Sequence, residues 1–266
     1  MGKQIIQRRR VLFEDNAVRV ISSRYAADSA FAPHYDCQSR ITLTLAGAVA
    51  EDVAHHAVTV TAGDILLKSC HTLHENRYSA MGARHVTIEA LSDSTAVGDI
   101  SVAHVIDSIG WQRQQGPEAL LHTAAVIDAA LSGNGNMLHT TISDICVAIQ
   151  TSQRRPVPPV CLKRLKAELQ ETGFVSGDLT KDAQAAGVHP VHVSRLFRLC
   201  FGTSVTLFSQ SHAVQRALQL LCSDHSLADV AATAGFYDQS HMGRIFRRCT
   251  GYTPGDYRRL WQQAVC

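Results

Sequence analysis

The stretch AGFYDQSHMGRIFRRCTGYTPGDYR, residues 234–258, determines how this chain is interpreted. It follows an alanine-rich segment, passes through Gly235, and continues into a run of apolar residues at helical spacing with arginines between them. Glycine tolerates the left-handed backbone conformation in which helices commonly end. The stretch therefore predicts a short helix, a glycine turn and a second helix, which together form a helix-turn-helix.

The same pattern occurs earlier in the chain, so the two copies form an internal repeat. Up to the glycine the spacing is 48, and the matched residues are Leu179/Leu227, Ala183/Ala231, Ala186/Ala234 and Gly187/Gly235. After it the spacing is 49, and the matched residues are His192/His241, Arg195/Arg244, Phe197/Phe246, Arg198/Arg247, Cys200/Cys249, Gly202/Gly251, Ser204/Thr253 and Phe208/Tyr257. The alternative is a helical bundle with a solvated basic face. Matched arginines, aromatics and glycines favour two helix-turn-helix units, at about 179–200 and 227–249.

The charge distribution favours a polyanionic partner for the same region. From Val160 onward there are 12 Lys and Arg against 8 Asp and Glu, whereas the preceding part has 13 against 15. A basic C-terminal half is typical of proteins that bind nucleic acids. An exposed arginine on the second helix of such a unit can donate to guanine O6 and N7 in the major groove.

Residues 179–260 resemble the DNA-binding domain of AraC/XylS-type transcription regulators, most strongly over 234–258. The resemblance implies that two recognition helices of one monomer enter successive major grooves of double-stranded DNA. The base-facing positions that it implies are Val191, Ser194, Arg195, Gln239, Ser240 and Arg244. The backbone-facing positions are Thr180, Arg198, Arg247 and Arg248. Ala213 stands where the family usually has an arginine, which leaves a DNA contact from the connecting helix unsupported.

The N-terminal part, residues 1–98, predicts a small β-barrel or sandwich. Short alternating segments at 40–45, 57–60, 65–67 and 86–89 are typical of strands, with Gly47, Gly63-Asp64 and Gly82 as turns. Residues 99–152 predict helices, one of them from Pro117 to Leu131 and stopped at Gly133. Their apolar stripes form either core or a dimer interface. Residues 153–159 contain three prolines and predict a linker before the all-α domain of 160–266, so the fold class is α+β.

Residues 31–92 resemble the small cupin-like barrel that precedes this DNA-binding domain in many such regulators. The residues that carry this resemblance are Pro33-His34, Leu45-Ala46-Gly47, Glu51, Gly63-Asp64, His74-Glu75-Asn76-Arg77 and Gly82-Ala83-Arg84. It implies effector binding or dimerisation, with His34, His74 and Arg77 in the effector pocket. Cupin enzymes hold a metal with clustered histidines and a carboxylate, but Asp36 occupies the second histidine position. We therefore predict a regulator without a cofactor rather than an enzyme.

Two alternatives remain open for the barrel. One is a metal-dependent cupin enzyme fused to the DNA-binding domain, and the other is a metal or thiol sensor. Cys70, His71 and His74 bring a thiol and two imidazoles within five residues, which are ligands suited to zinc, copper or nickel. The simpler interpretation is a buried cysteine beside histidines that cap turns or line the barrel.

The remaining composition is that of an ordinary globular protein. Of the 266 residues 45% are hydrophobic and 18% charged, and the eight cysteines include no Cys-x-x-Cys pair. The chain lacks both the ~20-residue apolar run that spans a bilayer and a signal peptide, so we expect a cytoplasmic protein. The expected partners are double-stranded DNA, an unidentified small-molecule effector, RNA polymerase and, if 99–152 forms an interface, a second copy.

Overall fold

Two long antiparallel strands form the centre of the N-terminal region in the computed structural model, which describes residues 5–53, 56–91, 101–172 and 190–265. These strands are β4 (Arg40–Val53) and β7 (His74–Ala90). The others are β1 (Ile6–Glu14), β2 (Val18–Tyr25), β3 (Ala30–His34), β5 (His56–Thr61), β6 (Ile65–Lys68) and β8 (Gln112–Gln114). The order is β1-β2-β7-β4-β6-β8, with β3 on β7 and β5 on β4. The predicted small antiparallel β-domain is confirmed.

Gly47 and Gly82 lie inside β4 and β7, so the prediction that they form turns is wrong. Both have positive φ, +72° and +67°, and they lie side by side where the pairing register shifts. A side chain on Gly47 would place its Cβ 2.0 Å from the carbonyl oxygen of Gly82. The two glycines let both strands bend together at one point. Gly63-Asp64 does form the predicted turn, between β5 and β6.

The bend divides the sheet into two halves that enclose one cavity. One half contains β1, β2, β6 and β8 with the first part of β4 and the second part of β7, and the other contains β3 and β5 with the remaining parts. Along β4, Ile41 and Leu43 face the apolar core, whereas Thr42 and Thr44 line the cavity. Strand alternation thus produces a polar interior beneath an apolar outer layer.

Nine described helices follow the strands or connect them. They are α1 (Val102–Ile109), α2 (Pro117–Ser132), α3 (Gly135–Gln153), α4 (Val160–Thr172), α5 (Pro190–Phe201), α6 (Val205–Leu221), α7 (Leu227–Thr233), α8 (Gln239–Thr250) and α9 (Pro254–Val265). Helix α2 begins at its predicted proline and ends at left-handed Gly133, as the sequence indicates. The prolines at 156, 158 and 159 lie between α3 and α4. The α+β class is therefore confirmed.

The apolar core runs without interruption from the sheet to the C-terminal helices. It includes Ile41 and Val86 of the sheet, Ile127 of α2, Leu218 of α6 and Phe246 of α8. Helices α4 and α5 share a separate small core with the start of α6, which consists of Leu162, Leu165, Leu169, Phe197, Cys200, Val205 and Phe208. The two helix-turn-helix regions are therefore anchored to the rest of the molecule in different ways.

Polar contacts also join the N-terminal sheet to the C-terminal helices. The amide of Gln215 on α6 donates to the carboxylate of Asp64 at 3.3 Å. Arg10 on β1 donates to the carbonyl oxygen of Gln263 on α9 at 3.0 Å. Ala213 on α6 is fully buried, so the position where the family usually has an arginine belongs to the core here. Among the described helices, none is both long and apolar enough to cross a membrane.

Candidate nucleic-acid interface and candidate effector cavity

The second helix-turn-helix unit consists of α7, a glycine turn and α8. Ser226 caps the start of α7 by accepting a hydrogen bond from the amide of Asp229. Gly235, with φ +85°, follows the helix, and Arg216 of α6 donates to the carbonyl oxygen of Ala234 at 3.0 Å. Asp238 then caps α8 by accepting from the amide of His241 at 2.6 Å. These bonds satisfy backbone groups that helix ends leave free and fix the angle of the turn.

Helix α8 has a buried face and a basic exposed face. Met242, Ile245 and Phe246 are buried in the core. Ser240, Arg244 and Arg247 lie on the opposite side and are exposed, as is Gln239 at the helix start. Residues three and four positions apart share one helix face, so the hydroxyl and the two guanidinium groups point in one direction. Such a face can contact base edges and phosphates together.

Helix α5 has the same arrangement in the first unit. Phe197 and Cys200 are buried, whereas Val191, Arg195 and Arg198 are exposed on the opposite side. Ser194 is exposed at the edge of that face. The matched positions Arg195/Arg244 and Arg198/Arg247 therefore occupy equivalent places on two helices of equal length. Thr180 and the helix that the sequence predicts from 179 lie outside the described residues.

The packing beneath the two helices repeats as well. Phe197 and Phe246 are both fully buried. The Phe197 ring meets the Phe208 ring edge-on at 5.6 Å, and the Phe246 ring meets the Tyr257 ring edge-on at 5.5 Å. Edge-on pairs at this distance are favourable for aromatic rings. The sequence repeat therefore corresponds to a repeat in side-chain packing, and not only in exposed arginines.

Arg248 lies at the edge of the α8 basic face, away from its centre. Its guanidinium group donates to the side-chain oxygen of Gln210 on α6 and lines a cavity between the helices. The resemblance to the family implies a DNA phosphate contact for this residue. Arg248 is exposed on nearly the same side of the helix as Arg244, displaced towards Gln210 of α6, and its phosphate contact stays a prediction.

The cavity inside the β-domain, hereafter the barrel cavity, has a volume of about 300 Å³. Lys68 lies at one end of it, with its ammonium nitrogen 3.3 Å from Asp36 and 3.2 Å from Glu51. Asn76 and Trp111 also donate to the Glu51 carboxylate, each at 3.0 Å. Lys68 and Glu51 are buried, so their charges depend on one another for stabilisation. The group forms a fixed polar end to the cavity.

His34 and His74 line the barrel cavity together, with ring centroids 4.3 Å apart. Burial, and then the Lys68 ammonium, hold the pKa of His74 below its ordinary value. Arg77 does not line the cavity: its side chain is 64% exposed and paired with Glu75 on the outer face. Strand alternation explains the difference, because Asn76 and Tyr78 point inward on either side of it.

Two groups of side chains have potential metal-ligand atoms within 4.8 Å of one another: His34, Asp36 and His74, and Cys70, His71 and Asp107. His74 therefore belongs with His34 rather than with Cys70 and His71. In the first group the Lys68 ammonium already contacts Asp36. A divalent cation would have to enter beside that charge, which makes the donor set a poor fit for a metal centre.

The barrel cavity also contains buried polar atoms that have no hydrogen-bond partner among the described residues. They are the hydroxyl of Thr44 and Nε2 of His85, on paired positions of β4 and β7. Complete burial and the nearby Lys68 lower the pKa of His85 to about 3, so its ring is neutral. Tyr25 and Tyr78 stack nearby at 4.4 Å. A ligand with hydroxyl groups would satisfy these atoms.

The sequence predictions missed most of this cavity. Lys68, His85 and Thr44 were not among the predicted pocket residues, although β4 contains an alternation of threonine with large aliphatic residues. That alternation is the available signal for a polar interior. To use that signal, one must know that the aliphatic face of β4 packs under helices, and this information comes only from the assembled fold.

Known proteins resemble this chain mainly over its C-terminal third. A family model described as a helix-turn-helix domain matches residues 183–260. The arabinose operon regulatory protein of Escherichia coli is 33% identical over 89 residues, which are 33% of this chain and 30% of that protein. The transcriptional activator NphR of a Rhodococcus species is 25% identical over 197 residues, which are 73% of this chain and 56% of that protein.

Among solved structures, ToxT from Vibrio cholerae covers 92% of this chain and 98% of its own, at 10% identity and a TM-score of 0.38. The chain spans 30% and 56% of the lengths of the two curated relatives above. One of these relatives is named as an operon regulatory protein and the other as a transcriptional activator.

Proposed function

We propose that this chain, whose C-terminal region is a helix-turn-helix domain of the AraC type, is a sequence-specific DNA-binding regulator of transcription. The observation that carries the proposal is the equivalent exposure of Arg195 and Arg244 on α5 and α8. Each arginine stands on the side of its helix opposite a buried phenylalanine and next to a second exposed arginine. Two such helices on one chain suit two neighbouring major-groove segments.

Base and backbone contacts are divided between the exposed residues. Val191, Ser194 and Arg195 on α5, and Gln239, Ser240 and Arg244 on α8, would contact base edges. Valine suits a thymine methyl group, whereas glutamine suits adenine, so the two segments of the site differ in sequence. Arg198 and Arg247, one turn further along each helix, would contact phosphates, with Thr180 near the backbone of the first segment.

The barrel cavity is the proposed effector site. Its unpartnered hydroxyl and imidazole, its stacked tyrosines and its charged end suit a small polar molecule that carries hydroxyl groups. His34 and His74 lie at the end where Lys68 and Asp36 meet. We further propose that residues 1–98 sense the effector and that 160–266 bind DNA, with 99–152 and 153–159 connecting these two domains. We propose that the chain acts in the cytoplasm and catalyses no reaction. Its proposed partners are RNA polymerase and a second copy of the chain.

The test begins with selection of a preferred site from a pool of random-sequence duplexes with the full chain. Arg244→Ala should weaken binding to that site by ~1–3 kcal/mol and relax the preference at one position, because a bidentate contact to one base is lost. Arg195→Ala should do the same at the other segment. Affinity is measured by fluorescence anisotropy on the selected duplex and on single-position variants of it.

Arg259→Ala is the matched control, since Arg259 is an exposed arginine of the same region that pairs with Asp256. It should leave sequence preference unchanged. Equal loss on selected and random DNA for both Arg195→Ala and Arg244→Ala would contradict the proposal. Metal analysis of the purified chain addresses the enzyme alternative, which requires about one tightly bound ion per chain.

A further inference from the structure

A second cavity, of about 350 Å³, lies between the helices and the β8 edge of the sheet. We name it the seam cavity, because residues from the connecting segment 113–155, from the first unit and from α8 all line it. Its walls include Leu121 of α2, Phe201 at the end of α5 and Phe208 of α6. The seam cavity is thus the place where the two DNA-binding units meet the N-terminal half of the molecule.

Four cationic side chains line the seam cavity: Arg113, Arg155, Lys166 and Arg248. Against them the lining contains one carboxylate, that of Glu118, which is exposed at the start of α2. Arg113 is paired with Asp64 at 2.7 Å. Within the described ranges, the other three cations have no carboxylate at ion-pair distance, although the Asp64 carboxylate also acts on Lys166 from further away. The cavity lining therefore carries more positive than negative charge.

Lys166 lies against two aromatic rings of the cavity wall. Its ammonium nitrogen lies 5.1 Å from the ring centre of Phe201 and 5.6 Å from that of Phe208. Burial, and then the charge of Arg113, lower its pKa. Burial and the same Lys166 charge also lower the pKa of the neighbouring His212, to about 4. The ring contacts attract the ammonium only modestly, and an anion would be a stronger partner.

Two further polar atoms at the seam cavity have no partner among the described residues. They are the buried hydroxyl of Thr203 and the buried Nε of Arg113, and both can donate. Arg155 donates to the carbonyl oxygen of Phe201 at 2.9 Å, and within the described ranges its guanidinium group makes no other hydrogen bond. The lining therefore combines donors and cations with apolar groups, which matches an anion with an apolar body.

We propose that the seam cavity binds a small organic anion, namely a carboxylate with a compact apolar body, and that the bound anion fixes the first DNA-binding unit relative to the second. Lys166 lies on α4, which packs against α5 of the first unit, whereas Arg248 lies on α8 and Arg155 in the linker between α3 and α4. One anionic group among these three would bridge segments that otherwise repel one another. The site is separate from the barrel cavity, and its effect on DNA rests on the proposed function.

Binding is tested on the full chain without DNA, using cyclohexanecarboxylate, its uncharged amide and inorganic phosphate at constant ionic strength. The carboxylate should raise the melting temperature and bind at least ten times more tightly than the amide by calorimetry. Lys166→Gln should weaken carboxylate binding at least fivefold. Lys163→Gln is the matched control, because Lys163 is exposed on the same helix and does not line the cavity.

Without a ligand, Lys166→Gln should leave the melting temperature unchanged or raise it, because one of the excess cations is removed. This result separates loss of binding from loss of folding. Equal binding of carboxylate and amide, equal binding to Lys166→Gln and the natural chain, no binding of the carboxylate, or binding of phosphate alone would each overturn the proposed site.

The effect on DNA is measured separately, as affinity for the selected duplex with and without the carboxylate. The natural chain should change its affinity at least threefold, and Lys166→Gln should not respond. Carboxylate binding without any change in DNA affinity would overturn the bridging role. If the chain binds no DNA sequence selectively, the proposed function fails, whereas the calorimetry still decides whether the anion site exists.

Discussion

The two repeat units have matching exposed arginines but pack into different cores. Helix α8 packs into the core that continues through α2 to the sheet, and Phe246 is part of it. Helix α5 packs with α4 and the start of α6 in a small core of its own, centred on Phe197. Equivalent exposed residues therefore lie on two helices with different packing. Helix α8 shares the main core of the molecule, whereas α5 belongs to a separate small core.

This difference indicates where regulation can act. A change in the β-domain reaches α8 only by deforming a continuous close-packed core, which is costly. Among the described residues, the contacts of the first unit with the same body include the Arg155 bond to Phe201 and the side chains of the seam cavity. Movement of the first unit relative to the second is therefore the change that an effector could produce most readily.

Two matched substitutions test whether α5 and α8 belong to separate cores, and they have the largest expected effect on stability. Phe197→Ala and Phe246→Ala each remove a fully buried ring, which should cost ~3–5 kcal/mol. Hydrogen exchange should show that Phe197→Ala exposes α4 and α5 while the sheet and α8 stay protected. Phe246→Ala should reduce protection throughout, because its core is shared.

Leu199→Ala is the control for the first unit, since Leu199 is exposed on α5 and should change stability by less than ~0.5 kcal/mol. The comparison fails if Phe197→Ala removes protection from the sheet as much as Phe246→Ala does.

Acid should loosen the first unit through His212. This ring packs against Phe208 at 4.7 Å and faces the cations Lys166, Arg216 and Arg113. Burial, and then those charges, lower its pKa from the ordinary 6.5 to about 4. Between these two pH values, His212 is therefore protonated in the unfolded state but neutral in the folded state. The contribution of His212 to the free energy of unfolding is fully present above pH 6.5. It decreases by up to about 3 kcal/mol as the pH falls towards 4.

His212→Phe should remove this part of the pH dependence, because phenylalanine does not titrate. Denaturant unfolding at pH 7 and pH 4.5 measures the difference between variant and natural chain. His85 in the barrel cavity also has a lowered pKa, about 3, and should continue to contribute in the variant. An unchanged pH dependence in His212→Phe would show that the ring is not kept neutral by its surroundings.

The smallest effect concerns the start of α8. Asp238→Ala removes the side chain that accepts from the amide of His241, which should cost ~1 kcal/mol. Exchange at the first turn of α8 should increase, while α5 keeps its protection. Asp224→Ala removes an exposed carboxylate outside the helices and serves as the control. Equal effects of the two substitutions would mean that Asp238 contributes no specific cap.

The sequence was informative where periodicity and glycine positions specify local structure. The repeat predicted both exposed arginine pairs and the connecting helix, and Pro117 and Gly133 bounded α2 correctly. Strand β1 was not predicted, because three consecutive arginines, Arg8 to Arg10, on an edge strand obscure its alternation. Gly47 and Gly82 appear as separate turn signals in the sequence, and only their pairing across two strands makes them a shared bend.

The candidate sites, like the fold, could be predicted only where a local sequence pattern specifies them. Exposed helix positions can be predicted from spacing, since the opposite face must be buried. The barrel and seam cavities join residues distant in sequence, such as Arg113 and Lys166, and no local pattern connects them. Arg77 illustrates the limit on β7: its neighbours Asn76 and Tyr78 point into the cavity, and a shift of one residue reverses the face.

The most direct test of the account is DNA affinity as a function of the spacing between the two segments of the selected site. Recognition helices on one DNA face lie about one helical turn, or ~10 base pairs, apart. The full chain is titrated with duplexes that carry the natural spacing or a five-base-pair insertion, which turns one segment to the opposite face. We expect affinity on the insertion duplex to fall to the level of a duplex with one segment. Arg195→Ala should then have no further effect there, because α8 alone holds the DNA. Affinity that is independent of the spacing would contradict the account, since it would mean that only one unit contacts DNA.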